Sequence, residues 1–162
     1  MSWYEVLWRR GSSTTPTPDT SVLTLIGFAA LASVILAWPL VRMLVTVCHE
    51  AGHAVAATVT GRSLEGIRLH SDTSGLTVSR GAPKGAGMVV TLFAGYPAAS
   101  LVGLTAAFVA GAGFAVAMVL LLVVALALML LKIRNMHGAL VVLGLGAALG
   151  LAAWYVPVTF VG

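Results

Sequence analysis

Residues 40–60, LVRMLVTVCHEAGHAVAATVT, form an apolar run long enough to cross a bilayer, and this run carries His49, Glu50 and His53. Ionisable side chains are costly inside hydrocarbon, so three of them so close together need a common partner. His49 and His53 are one helical turn apart on the same face, with Glu50 beside them. Zinc accepts imidazole nitrogens at this spacing. The run therefore predicts a metal-binding helix within a membrane; the alternative is a hydrogen-bonded cluster that stabilises helix packing.

The composition of the whole chain also indicates a membrane protein. Of its 162 residues, 59% are hydrophobic and 9% are charged, whereas soluble domains have about 25% charged residues. The formal charge of +4 is then no evidence for a nucleic-acid partner, and the expected surroundings are the lipid bilayer. The single cysteine, Cys48, excludes an intrachain disulfide. It points about 100° away from His49 on a helix and is interpreted as a small apolar side chain.

Five hydrophobic segments predict an all-α membrane protein with about five transmembrane helices. They cover residues 21–38, 40–60, 86–110, 112–131 and 138–156. Trp38-Pro39 separates the first two and Gly111-Ala112-Gly113 the third and fourth, which favours two tight helical hairpins. Residues 1–20 are interpreted as an interfacial segment and a Ser/Thr/Pro linker, and residues 21–162 as a single membrane domain.

The loop 61–85 predicts a small β-hairpin on the cytoplasmic face. Residues 64–70 and 76–79 alternate like strands on either side of turn-forming residues 71–75, although an irregular loop is the alternative. With five spans, this loop shares one face with the N-terminus and residues 132–137. That face carries eight basic residues, whereas the other carries only Arg42; the eight are Arg9, Arg10, Arg62, Arg68, Arg80, Lys84, Lys132 and Arg134. The positive-inside rule then predicts a multi-pass cell-membrane protein with a cytoplasmic N-terminus and its C-terminus on the opposite side.

The stretch His49-Glu50-Ala51-Gly52-His53 on a membrane helix resembles the site-2 protease family of intramembrane zinc proteases, in particular its small bacterial members. Residues 93–100, FAGYPAAS, are similar to the family's Ala-Gly-Pro-type segment, and Ser100 stands about where an Asn is usual. The family takes a third zinc ligand from an Asp that precedes a Gly. Residues 134–138, RNMHG, are the matching element here, and they contain no carboxylate.

The resemblance implies a site-2 protease-like core that binds Zn²⁺ through His49, His53 and a third residue. His137 precedes the glycine and can complete a three-ligand site, or it is an interfacial histidine. Asn135 could contribute a carbonyl oxygen or orient bound substrate, and Ser100 is a second candidate for substrate binding. Outside this element, His70 and Asp72 are less favoured ligands, because both fall in the turn of the predicted hairpin.

The implied activity is hydrolysis of a peptide bond in a membrane-anchored protein or peptide, within or near the cytoplasmic side of the bilayer. Glu50 is the expected catalytic residue, acting as general base and then as acid. The 64–79 hairpin could bind an extended substrate at its edge. A catalytically inactive metal-binding scaffold or partner subunit is the alternative. A transporter is disfavoured because residues 112–131 are purely apolar. The sequence does not indicate an oligomeric state.

Overall fold

A computed structural model of the chain describes residues 2–16 and 18–155. The described part is mostly helical, with one small sheet, as the sequence predicts. Its elements are, in chain order, α1 (Trp3–Ser12), α2 (Thr20–Leu36), α3 (Trp38–Val59), β1 (Ser63–Leu69), β2 (Gly75–Arg80), α4 (Ala86–Gly111), α5 (Ala115–Leu130) and α6 (Met136–Tyr155).

Five separate membrane spans are not confirmed by the lengths of these helices. In the described part of the chain, α4 and α6 are each long and apolar enough to cross a bilayer, and α2 and α3 together make a third candidate. Helix α5 is apolar but has 16 residues, a length of about 24 Å against the roughly 30 Å of a hydrocarbon core. By length and composition, the described helices offer two or three candidate spans, and the predicted five are not confirmed.

The break at Trp38 is a right-angled bend and not the predicted tight hairpin. The axes of α2 and α3 differ by 99°, and α2 buries none of its residues. Asp19 caps the start of α2 by accepting a hydrogen bond from the Val22 amide at 3.0 Å, and Pro39 lies in the first turn of α3, where its missing N–H costs nothing. Both local signals mark helix ends correctly, but neither fixes the angle between the helices.

The predicted β-hairpin is confirmed. Strands β1 and β2 pair antiparallel, from Leu69 opposite Gly75 to Ser63 opposite Arg80, with an irregularity between Leu64 and Gly66. The other edge of β1 is occupied by the connection between α5 and α6. Ile67 donates to the Lys132 carbonyl at 2.8 Å and accepts from the Arg134 amide at 2.9 Å. Strand β2 is consequently the free edge of the sheet.

The buried core lies where the hairpin meets the helices. Ile67, Leu69 and Val142 are the largest fully buried side chains, and they belong to one cluster with residues of α3 and α5. Away from this cluster the apolar side chains of α4 face outward, and only 6% of its most apolar window is buried. Such a surface suits lipid rather than water. The core therefore anchors the hairpin firmly against α3, the helix that carries the histidines.

The N-terminal helix lies beside the ends of α5 and α6 that are far from the hairpin, whereas the sequence predicts that it shares a membrane face with the hairpin. Arg10 donates to the Ala153 carbonyl at 2.8 Å, and the Thr15 amide donates to the Gly113 carbonyl at 2.9 Å. Gly113 precedes α5 and Ala153 lies near the end of α6, whereas the hairpin contacts the other ends of both helices. The prediction counts α2 as a separate membrane crossing, whereas α2 and α3 together make one candidate span.

Candidate metal centre and substrate cleft

The two histidines of α3 bring their ring nitrogens together. His49 and His53 lie one turn apart, and their Nε2 atoms are 2.9 Å from each other. The ring planes are almost perpendicular, at 89°, with centroids 4.5 Å apart. At this distance the two Nε2 atoms can share a hydrogen bond. Two imidazole nitrogens this close together, both in the unprotonated form, are also the donors that a single zinc ion would accept.

A contact with α4 fixes the orientation of His53. Its Nδ1 lies 2.7 Å from the Thr91 carbonyl oxygen. Since a carbonyl can only accept, Nδ1 carries the proton and Nε2 keeps its lone pair. Histidines that bind metals commonly donate their second nitrogen to a carbonyl or a carboxylate in this manner. The backbone of α4 therefore prepares His53 for a metal.

Gly95 lies directly against the histidine pair. A Cβ atom built at this position would lie 2.5 Å from His53 Nε2 and 2.7 Å from His49 Cε1, so a side chain there would have to displace the rings. Gly52 brings α4 to this distance, because a Cβ there would lie 2.7 Å from the Ala94 carbonyl oxygen. Small residues on both helices thus allow the backbone of α4 to pack closely against the two imidazole rings.

Glu50 is held by the hairpin. Its side chain is 4% exposed, and the Thr77 hydroxyl donates to Glu50 Oε2 at 2.5 Å. Gly75 packs against the same carboxyl group, since a Cβ at that position would lie 2.5 Å from Glu50 Oε1. Strand β2 therefore covers the carboxylate and supplies its hydrogen-bond donor.

Glu50, His49 and His53 line one cleft between β2, α3 and α4. The cleft has a volume of about 390 Å³ and is also lined by Gly75, Thr77, Ser79 and Arg62. In β2, the half-buried Gly75, Thr77 and Ser79 alternate with exposed residues. Leu76 and Val78 are 50% and 43% exposed and also border the cleft. The cleft thus brings together two histidines with neighbouring nitrogens, a buried carboxylate and the edge of β2 that no described strand pairs with.

The third predicted ligand does not join the histidine pair. Among residues 2–16 and 18–155, no group of three or more His, Cys, Asp or Glu side chains is placed to hold a metal ion. His137 is half-buried at the start of α6, and its Nε2 is buried without a hydrogen-bond partner in the described structure. The described residues therefore fit a metal in part, through the two neighbouring imidazole nitrogens.

The two predicted substrate-binding residues lie outside the cleft. The Asn135 amide is fully engaged with the backbone of β1, since Nδ2 donates to the Leu69 carbonyl at 2.6 Å and Oδ1 accepts from the Leu69 amide at 3.2 Å. Ser100 is exposed on α4. These contacts make Asn135 a structural link between α6 and the hairpin.

The two less favoured ligand candidates form the hairpin turn. The Ser74 hydroxyl lies 3.3 Å from His70 Nδ1 and donates to Asp72 Oδ1 at 2.7 Å. The hydroxyl and backbone N–H of Ser74 hold the pKa of the Asp72 carboxyl below its usual value. Both residues are exposed. Their contacts stabilise the turn, as its Ser/Asp/Thr composition suggests.

Sequence reasoning missed the residues that other elements bring to α3. Thr77 contacts Glu50, Thr91 orients His53, and the exposed ring of Tyr96 meets His49 edge-on with centroids 5.5 Å apart. For Thr77 a signal existed. The alternation of β2 places Gly75, Thr77 and Ser79 on the same side, and three small or polar residues on the inward side are unusual for a strand that covers a core.

Comparison with known proteins assigns the family. The chain matches the family model described as Peptidase M50B-like over residues 21–162. No curated protein and no solved structure matches it. The match includes the histidine pair, the hairpin and residues 134–138. Because it covers most of the chain, this protein is a member of the Peptidase M50B-like family, within the site-2 protease group of membrane metalloproteases.

Proposed function

We propose that this protein is an intramembrane zinc metalloprotease that hydrolyses a peptide bond of a membrane-anchored protein or peptide. The observation that carries the proposal is the single cleft in which the converging His49 and His53 nitrogens, the Glu50 carboxylate and the free edge of β2 meet. Family membership supports a protease. The cleft adds the groups that peptide hydrolysis needs: two histidines that would bind a metal ion, a general base and a strand edge for an extended peptide.

His49 and His53 would hold the zinc ion through Nε2, with His53 oriented by the Thr91 carbonyl. When bound, zinc acidifies water and polarises the peptide carbonyl. The Glu50 carboxylate takes a proton from the attacking water and returns it to the nitrogen of the leaving amine. Burial beneath β2 keeps this carboxylate away from bulk water, so its proton transfers take place within the cleft.

His137 is our candidate for the third protein ligand. Its buried Nε2 lacks a hydrogen-bond partner in the described structure, and a buried nitrogen without a partner is costly. Coordination requires the first turn of α6 to approach the pair. Asn135 is not proposed as a ligand, because both of its amide groups already bond Leu69.

Strand β2 is the proposed binding site for substrate. A peptide added along its free edge is held extended by main-chain hydrogen bonds, with its carbonyls exposed to the cleft. Such extension is needed because helical hydrogen bonds shield the carbonyls of a membrane-spanning segment. The outward side chains of Leu76 and Val78 would offer apolar contacts to the same peptide.

We propose that the hairpin end of the molecule faces the cytoplasm. Six basic residues lie in the hairpin loop and the α5–α6 connection, whereas α1 and α3 carry three at the other end; the six are Arg62, Arg68, Arg80, Lys84, Lys132 and Arg134. This bias follows the positive-inside rule. A cysteine introduced at Ser74 in a Cys48→Ala background tests the orientation. It should react with impermeant reagents added from the cytoplasmic side, and reaction from the outside alone would reverse the assignment.

The variant Glu50→Gln tests the proposed activity. It keeps the shape of the side chain and removes the base, so zinc content should remain while cleavage falls by at least about 100-fold, the usual contribution of a general base. Glu65→Gln is the matched control, because Glu65 lies on β1 and pairs with Arg80 at 3.4 Å. A non-proteolytic scaffold would show no difference between the two variants in any partner assay. Full cleavage by Glu50→Gln would refute the proposed mechanism.

A further inference from the structure

The contact between β2 and Glu50 joins the edge strand of the hairpin to the proposed base. Thr77 Oγ1 lies 2.5 Å from Glu50 Oε2 and 3.2 Å from the Glu50 backbone carbonyl oxygen. A hydroxyl has one proton to donate, and the carboxylate is both nearer and charged. The proton therefore goes to Oε2, and the strand holds one particular oxygen of the carboxylate.

The second carboxylate oxygen remains for chemistry. Glu50 Oε1 has no hydrogen-bond donor among the described residues, and it lies against Gly75, where any side chain would displace it. The pattern of β2 is the reverse of an ordinary covering strand, because Thr77 faces inward while Leu76 and Val78 face outward. An apolar residue at position 77 would cover α3 equally well but would leave the buried carboxylate without a partner.

We propose that Thr77 is a positioning residue of the protease: its hydroxyl fixes Glu50 Oε2 so that Oε1 is the oxygen that accepts and returns the proton. This inference rests on the proposed function. Strand β2 is also the proposed binding site for the substrate peptide. The same strand would therefore bind the peptide and orient Glu50, the proposed general base. A substrate that displaces β2 would therefore change the position of Oε1.

Three variants separate this role from simple packing. Thr77→Val keeps the shape and removes the hydroxyl, and Thr77→Ser restores the hydroxyl. Thr58→Val is the matched control, because the Thr58 hydroxyl bonds only the Ala54 carbonyl of its own helix and Thr58 faces away from the cleft. Full-length protein in detergent is assayed for zinc content and for cleavage of dye-quenched casein, an unstructured probe. The Thr77→Val change is also made in a Glu50→Ala protein, and melting temperatures are compared.

We expect Thr77→Val to keep its zinc and to lose about 10- to 100-fold in kcat with little change in KM, since the lost bond is to a charged group. Thr77→Ser should recover most of the rate, and Thr58→Val should match the parent. Thr77→Val should lower the melting temperature of the parent but not that of the Glu50→Ala protein, because a bond needs both partners.

Three results would overturn the inference while leaving the proposed function intact. In an active parent, the first is a Thr77→Val rate equal to that of the parent, and the second is a Thr77→Ser rate as low as that of Thr77→Val. The third is an equal loss of melting temperature with and without Glu50, which would show that Thr77 acts by packing. A parent that holds no zinc and cleaves nothing would instead defeat the proposed function, and the inference would fall with it.

Discussion

Gly95→Ala should weaken zinc binding without unfolding the protein. The added methyl carbon would lie 2.5 Å from His53 Nε2, 2.6 Å from His53 Cε1 and 2.7 Å from His49 Cε1. Zinc–nitrogen bonds are about 2.0–2.1 Å long, so a carbon at this place competes with the ion for the same space. Forcing an extra methyl into a closed site costs about 1–3 kcal/mol, which corresponds to a rise of about 5- to 150-fold in the zinc Kd.

The assay is a titration of detergent-purified protein with buffered free zinc. Gly103→Ala is the control on the same helix, since a Cβ at position 103 has no neighbour within 4 Å. Both variants gain the roughly 1 kcal/mol by which alanine exceeds glycine in helix propensity, so a difference between them reports the site and not the helix. A Gly95→Ala protein that binds zinc as tightly as Gly103→Ala would refute the proposal that zinc binds at the two Nε2 atoms beside Gly95.

Two further predictions concern the hairpin. Asn135→Ala removes both hydrogen bonds to the Leu69 backbone and should destabilise the protein by about 1–3 kcal/mol; an unchanged melting temperature in detergent would contradict the structural role given to this amide. The pKa of the Asp72 carboxyl is lowered by the Ser74 hydroxyl and N–H, so its contribution to the stability of the turn is present above about pH 4 and is lost as the pH falls through the lowered folded-state pKa. The protection of the Ser74 amide, measured as its exchange rate relative to the intrinsic rate at each pH, should accordingly fall on acidification in the parent and not in Asp72→Asn. Identical protection of the Ser74 amide in the two proteins at every pH would contradict this prediction.

Local sequence signals located most elements but not their arrangement. Hydropathy placed the helices within a few residues, and alternation around residues 71–75 located the hairpin, because both patterns depend only on neighbours along the chain. The bend of 99° between α2 and α3 was missed because a Trp-Pro break fits a bend as well as a hairpin. Counting α2 as a crossing of its own also decides which membrane face the N-terminal segment is predicted to share.

The sequence predicts only the part of the candidate site that lies on a single helix, α3. The spacing of His49 and His53 within α3 is enough to place both rings together. Thr77 and Thr91 come from other elements, and their contacts with α3 depend on how the hairpin and α4 pack against it. The position of Asn135 in the chain suggests a role in substrate binding. Its hydrogen-bond partner, Leu69, is 66 residues away, so this contact has no local signal in the sequence.

The proposed metal site is tested by measuring the zinc content per chain in the parent and in three variants, His53→Ala, His137→Ala and His70→Ala. We predict about one zinc per chain in the parent, none in His53→Ala and an unchanged content in His70→Ala, since His70 lies in the exposed hairpin turn. Loss of zinc in His137→Ala would establish His137 as the third ligand, and retention of zinc would show that His137 is not a ligand. A parent that holds no zinc after metal loading, or a His53→Ala protein that keeps it, would contradict the metal site.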